Sequence, residues 1–343
     1  MPRKAHLPPS FAKGEAFTQS STSKERFQFE NARFSDYIMW AKNVVKTGKI
    51  FSECESSESI QKIIDANIPA ESYPKSPTRQ GLLLIHGLNS SPMGMSSLYH
   101  YFSQKNYLVR SILLPGHGTR PGDLLDVTYQ DWLETCRFAI KTLRDEVEHV
   151  SVIGFSAGSA LALYLSLTEN SIDSLVLLAP AIGLKNPISA YYAKILYGLR
   201  KFSTRINWPI IKNEEDYAKY QSMPINAIYQ ITSLIKEIHR IPSSLKAPLY
   251  IASTTDDETI SHKKAIEFFL KQSHSLNRGI VYTTAPKPEL PPSLQQRPSC
   301  YPEERILDFS HIALTTSSQH YHYGKKGDFS DFSHYHADEK HTK

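Results

Sequence analysis

The chain has 343 residues, 40% of them apolar and 21% charged, with a formal net charge of +5. This composition excludes a disordered protein and allows a sizeable core, in one large domain or two smaller ones. No basic cluster with interleaved aromatics stands out, so the mild positive balance does not point to nucleic acid.

Residues 1–30 are polar and rich in Ser, Lys and Glu, and read as a loose arm without the apolar stretch of a signal peptide. From Phe34 the positions Phe34, Tyr37, Ile38, Ala41, Val44 and Val45 follow helical spacing, which predicts an accessory helix packed on the main domain. Residues 1–75 are therefore an N-terminal addition whose purpose is not written in the sequence. Cys54, Cys136 and Cys300 lie far apart with no CxxC spacing, which suits a reducing compartment. No run reaches 18 apolar residues, so no transmembrane segment is expected and the reading is cytoplasmic.

From residue 81 strands alternate with helices. Short apolar runs at 81–86, 107–113, 150–155, 174–178, 247–252 and 279–282 suit strands buried on both faces of a parallel sheet. Ser91 and Pro92 make an N-cap and first-turn pair before Met95, Leu98, Tyr99 and Phe102. Thr128 and Asp131 open a further helix with the stripe Tyr129, Trp132, Leu133, Cys136, Ala139, Ile140, Leu143 and Val147, in which Trp132 and Cys136 read as core. The alternation implies an α/β fold, a mostly parallel central sheet with helices on both faces.

Residues 181–246 break the alternation. They hold two helical stripes, Ile188, Tyr191, Tyr192, Ile195 and Leu199, then Ile228, Ile231, Leu234, Ile235 and Ile238. An insertion of this size between two strands reads as a helical cap over the carboxyl edge, where such sheets bind ligands. The core is then 76–180 with 247–318, and residues 319–343 are a polar tail in which five histidines read as solvated rather than metal-binding.

Gly154-Phe155-Ser156-Ala157-Gly158 matches G-x-S-x-G. Alone it is weak, since chance supplies it in roughly one such chain in ten. Its position between a strand and a helix makes it a candidate nucleophile elbow, where side chains two places before and after the serine would collide with nearby backbone. The turn exposes the Ser156 hydroxyl and aims the Ala157 amide, at a helix N-terminus, at an oxyanion. The loop after the strand that ends in His86, His86-Gly87-Leu88-Asn89, supplies the Leu88 amide as second donor, with His86 in a structural role.

A serine nucleophile needs a histidine base and a carboxylate to orient it. Asp256, Asp257 and Glu258 all follow an apolar strand and fit by position. His311 is the late histidine that apolar residues flank at a strand-to-loop boundary, whereas His320 and His322 fall in the polar tail.

Taken together, LIHGLN at 84–89, LLPGHGT at 113–119, the G-x-S-x-G run, DDETIS at 256–261 and DFSH at 308–311 resemble the α/β-hydrolase fold, specifically its carboxylesterase and monoacylglycerol-lipase branch of serine hydrolases. The resemblance covers residues 80–315. It implies a Ser156, Asp257 and His311 triad, with Asp256 as fallback for the acid, and a structural His117. The chain departs from the branch at Ser159, where many members carry glycine, in the Pro-rich stretch 284–303, and in lacking a clear amphipathic helix after His311.

The expected function is hydrolysis of carboxylic esters through an acyl-enzyme, with no metal and no cofactor. A thioesterase or amidase with the same triad and a non-catalytic binding protein are the alternatives. Tyr191, Tyr192, Ile195, Ile228 and Ile231 are the expected acyl-contacting residues. The expected partner is a small-molecule or lipid ester, met in solution or in transient contact with a membrane surface.

Overall fold

A run of branched apolar residues becomes a central strand when helices can cover both of its faces, and all six such runs do so here. The computed structural model describes residues 14–330, apart from 53, 54, 187, 203 and 243. Helices α1 (Phe34–Gly48) and α2 (Ser57–Asn67) precede strands β1 (Ala70–Ser72) and β2 (Gln80–Ile85). Then come α3 (Ser96–Ser103), β3 (Leu108–Ile112), α4 (Tyr129–Arg144), β4 (His149–Phe155), α5 (Ala157–Thr168) and β5 (Ser174–Leu178). The insertion carries α6 (Ile188–Leu199), α7 (Thr204–Asn207) and α8 (Ile225–Arg240). Strand β6 (Leu249–Thr254), α9 (His262–Leu270), β7 (Arg278–Tyr282) and β8 (Leu294–Arg297) complete the sheet.

The strand order is β1-β3-β2-β4-β5-β6-β7-β8, with β1 antiparallel to β3 and every other pairing parallel. Alternate residues of each central strand face opposite layers, as the period of two requires. Leu83, Ile85, Val150 and Val152 join the cluster built on α4, α5 and α8, whereas Leu82, Leu84, Ile153 and Phe155 join Met95 and Leu98 on the other face. Trp132 and Cys136 of α4 are fully buried in the first of these. Thr128 and Asp131 cap α4 reciprocally, as their spacing predicts.

Both sheet edges escape the apolar pattern. Strand β1 is polar and three residues long; it is held through Glu71, which accepts from Nε of Arg110 on β3 at 2.6 Å. Strand β8 reads Leu-Gln-Gln-Arg and emerges from the Pro-rich stretch, pairing in parallel with β7. Ser91 does not cap α3. A 3-10 turn, Pro92–Met95, intervenes, and the Ser91 hydroxyl donates to Ala66 O instead.

The termini correct the reading of loose ends. Ser20, 6% exposed, donates from its amide and hydroxyl to the Asp123 carboxylate at 2.6 and 2.7 Å, so the arm is docked from there. His320 and His322, expected to be solvated, are packed against the body, and His322 is 1% exposed. Residues 1–13, Cys54 and the further tail histidines His334, His336 and His341 lie outside the described residues.

His320 accepts the amides of His322 and Tyr323 on Nδ1, at 3.1 and 3.0 Å, which leaves its proton on Nε2 to donate to Ser96 Oγ at 2.7 Å. Burial lowers its pKa to about 4, aided by the neighbouring charges of His322 and His100. The folded pKa lies below the unfolded value of about 6.5, so the unfolded chain binds more protons between these limits and stability falls as pH drops through them. A melting series from pH 7 to 4 is expected to show a falling midpoint with a shallower slope in His320→Asn; parallel slopes would refute the assignment.

Candidate active site

Ser156 sits between β4 and α5 with φ 53° and ψ −114°, a left-handed conformation that a non-glycine residue adopts only under constraint. Its amide donates to Leu178 O at 2.9 Å, tying the elbow to β5. The flanking glycines are required by backbone contact. A Cβ on Gly154 would lie 2.4 Å from Gly158 O, and one on Gly158 would lie 2.3 Å from Ile85 O. Ser159, where the resembled branch often has glycine, is fully buried and its hydroxyl reaches Gly154 O at 2.5 Å and Leu178 O at 3.0 Å. The small side chain thus binds the ends of β4 and β5 together, a role the sequence did not disclose.

His311 opens a 3-10 turn, His311–Thr315, after the long Pro-rich approach, and its ring lies 5.1 Å from that of Phe155. Its Nε2 is 2.8 Å from Ser156 Oγ and its Nδ1 is 2.6 Å from Asp257 Oδ2. A carboxylate facing Nδ1 requires the proton there, so Nε2 presents its lone pair to the serine hydroxyl. The same Asp257 carboxylate accepts the amides of Thr259 and Ile260 at 2.8 and 2.7 Å. Burial pushes its pKa up, but the hydrogen bond and charge of His311 and these amides outweigh it, leaving the group below the usual carboxylate value.

The other two acids of the turn have different partners. Asp256 accepts the Phe309 amide at 3.1 Å, and Glu258 accepts the His311 amide at 3.4 Å. The structure therefore brings Asp257, and not Asp256, to the imidazole.

The loop after β2 passes beside Ser156. A Cβ on Gly87 would lie 3.4 Å from Ser156 Cβ. His86 accepts the Leu114 amide on Nε2 at 3.1 Å, so its Nδ1 carries the proton and donates to Gly87 O at 2.8 Å. In a trans peptide the Leu88 N–H points opposite to Gly87 C=O, so this bond orients the Leu88 amide. His117 Nε2 holds Leu88 O at 2.5 Å. Burial holds both imidazoles below their ordinary pKa, although the backbone carbonyls of Leu88, Pro115 and Leu114 around His117 oppose the shift there, and both rings serve as structural hydrogen-bonding groups. Neither the Leu88 nor the Ala157 amide donates to a protein acceptor among the described residues.

The expected acyl-contacting residues divide. Tyr191, Tyr192 and Ile195 stand 66%, 59% and 40% exposed on α6, and Ile228 is half-buried. Ile231, on α8, is 5% exposed and packs in the main core, where α8 lies against α5. The side chain of Ile188 lies outside the described residues.

A family model described as Hydrolase_4, serine aminopeptidase, S33, matches residues 76–285. The chain is 23% identical over 189 residues to a carboxylesterase of Bacillus subtilis (strain 168), covering 54% of this chain and 75% of that protein. It is 24% identical over 182 residues to a thermostable monoacylglycerol lipase of Bacillus sp. (strain H-257), covering 52% and 71%. Among solved structures, one from work on the metagenome-derived lipolytic enzymes LipS and LipT aligns with a TM-score of 0.54 at 19% identity, covering 72% of this chain and 90% of that one. The monoacylglycerol lipase of Paleococcus ferrophilus aligns with a TM-score of 0.52 at 17% identity, covering 63% and 88%. The architecture is the α/β-hydrolase fold. The matched family span ends before His311, and it also leaves out the N-terminal helices.

Proposed function

Because the chain belongs to the Hydrolase_4 family, serine aminopeptidase S33, we propose that it is a serine hydrolase of carboxylic esters, with Ser156, His311 and Asp257 as its triad. The observation that carries this reading is the unbroken line of hydrogen bonds from Ser156 Oγ through His311 to Asp257 Oδ2, on a strained elbow at the carboxyl end of the central strand. In this reading Ser156 Oγ attacks the acyl carbon and its proton passes to His311 Nε2. The Leu88 and Ala157 amides receive the oxyanion. Collapse expels the alcohol, which takes the proton from His311, and water activated by the same nitrogen releases the acid.

The similarity to a carboxylesterase and a monoacylglycerol lipase supports an ester over an amide as the scissile bond. Residues 181–246 are the cap in this reading, and Tyr191, Tyr192 and Ile195 on α6 are its outward apolar face, suited to a lipid ester and to transient contact with a membrane surface. No helix among the described residues is long and apolar enough to cross a membrane.

A fluorophosphonate probe is expected to modify Ser156, as located by mass spectrometry of the labelled peptide. Turnover of p-nitrophenyl esters is expected to rise from acetyl to octanoyl, with the corresponding anilides slower. Labelling elsewhere, or none, overturns the nucleophile. A preference for acetyl overturns the lipid-ester assignment.

A further inference from the structure

The insertion reaches back to the oxyanion loop through Tyr220. Its amide donates to Asn89 O at 2.7 Å, and Asn89 Nδ2 donates in return to Tyr220 O at 3.0 Å. The Tyr220 ring lies parallel to the His117 imidazole, 10° between planes and 6.1 Å between centroids. Its hydroxyl accepts the Thr119 amide at 2.9 Å and donates to Gly116 O at 3.1 Å. One residue of the insertion thus grips the loop that carries Leu88 and also the loop whose His117 holds the Leu88 carbonyl. It is 5% exposed, and burial, with the charge of Asp123, keeps its phenol protonated.

The short segment that carries Tyr220 is held from outside the family span. Lys49 Nζ, just past the end of α1, and Asn67 Nδ2, at the end of α2, both donate to Tyr217 O, at 2.6 and 2.9 Å. Asp216, 5% exposed, accepts from the Ala218 amide at 2.9 Å, from His322 Nε2 at 2.9 Å and from the Tyr323 hydroxyl at 2.7 Å. Lys49 and Asn67 precede residue 76, and His322 and Tyr323 follow residue 285, so both flanks converge on residues 216–220. A buried carboxylate with three donors is a costly thing to disturb, which makes the segment a fixed point rather than a mobile loop.

We propose that Tyr220 is a positioning residue for the oxyanion loop, and that Lys49, Asn67, His322 and Tyr323 form a clamp from the two chain flanks that keeps it there. The proposal rests on the serine hydrolase reading, with Leu88 as an oxyanion donor. It assigns a purpose to the N-terminal helices and the C-terminal segment: they set the turnover of the site without touching substrate.

The test uses the full chain with Tyr220→Phe, His322→Ala and His322→Gln. Active sites are counted by fluorophosphonate titration. For each variant kcat and KM on one ester, inhibition by a trifluoromethyl ketone, which places an oxyanion on the enzyme, and the thermal midpoint are then measured. Tyr220→Phe and His322→Ala are expected to lower kcat per titrated site by about tenfold or more, less than the loss of an oxyanion donor itself. KM is expected to stay within about twofold, and the ketone to weaken by the same factor as kcat. His322→Gln, which can still donate to Asp216, is expected to recover most of the loss.

Wild-type kcat per titrated site in the variants, with only the thermal midpoint lowered, overturns the clamp while leaving the serine hydrolase intact. A wild-type protein that takes no probe and cleaves no ester overturns both. Should His322→Ala not fold, Tyr220→Phe, which keeps the ring and its stacking, decides the question by the same criteria.

Discussion

Ser156→Ala is expected to lower ester turnover about 10⁶-fold, as removal of a triad nucleophile does elsewhere, with the circular dichroism spectrum unchanged. The hydroxyl donates toward His311 and alanine removes that one atom alone, so the substitution removes chemistry rather than fold. Asp257→Asn is expected to cost about 10⁴-fold, because the amide no longer selects the Nδ1–H tautomer that leaves Nε2 free to accept the serine proton. Asp256→Asn retains an oxygen for the Phe309 amide and is expected to cost less than about tenfold. These three rates, measured on one ester at saturation, separate the adjacent acids. An Asp256 variant as damaged as the Asp257 variant would overturn the assignment, as would a Ser156→Ala enzyme within about tenfold of the wild type.

Gly158→Ala is expected to destabilise the protein by at least about 4 kcal/mol, beyond the usual range of point substitutions, and to lower soluble yield. The added methyl would sit 2.3 Å from Ile85 O and 2.6 Å from His86 O. Both are backbone atoms at the end of β2, with no side-chain rotation to relieve the overlap, and moving them shifts the oxyanion loop as well. Gly154→Ala meets the carbonyl of Gly158 at 2.4 Å and should behave alike. Ser159→Ala, which leaves the shape but deletes the hydroxyl bonds to Gly154 O and Leu178 O, is expected to cost about 1 kcal/mol. Urea unfolding of the series provides the comparison. A Gly158→Ala midpoint matching that of the wild type would contradict the elbow geometry.

Much of the fold is legible because two-sided burial leaves a strong mark. Runs such as those at 81–86 and 150–155 have no other use for so many branched apolar residues in sequence, and they become β2 and β4. The edge strands leave no such mark. Strand β1 is secured by an Arg110–Glu71 ion pair rather than by apolar side chains, so no strand pattern marks its residues. The elbow is legible from its glycines, since collision with backbone is a local matter. The choice among Asp256, Asp257 and Glu258 is not, because it depends on which carboxylate points at a residue 54 positions later. The two apolar stripes of the insertion look alike in sequence, yet α8 is buried against α5 while α6 keeps Tyr191 and Tyr192 in the open. Periodicity reveals that a helix has an apolar face and not what will cover it. His322 reads as solvated in the sequence because its partner, Asp216, lies more than 100 residues away.

The three consecutive acids after β6 bear on how this chain can change over time. Asp256 holds the Phe309 amide, Glu258 the His311 amide and Asp257 the imidazole, while the Phe309 ring stacks on Tyr282 at 4.4 Å. The His311 imidazole is therefore located by a template beside it and not by the path that leads to it. Loop length adds only about 0.6 kcal/mol per doubling to the entropy of closure, so the stretch at 284–303 is free to lengthen, shorten or acquire a strand such as β8 without displacing His311. Variation in that stretch among descendants of this sequence should then be wide, and variation at Asp256, Asp257 and Glu258 narrow.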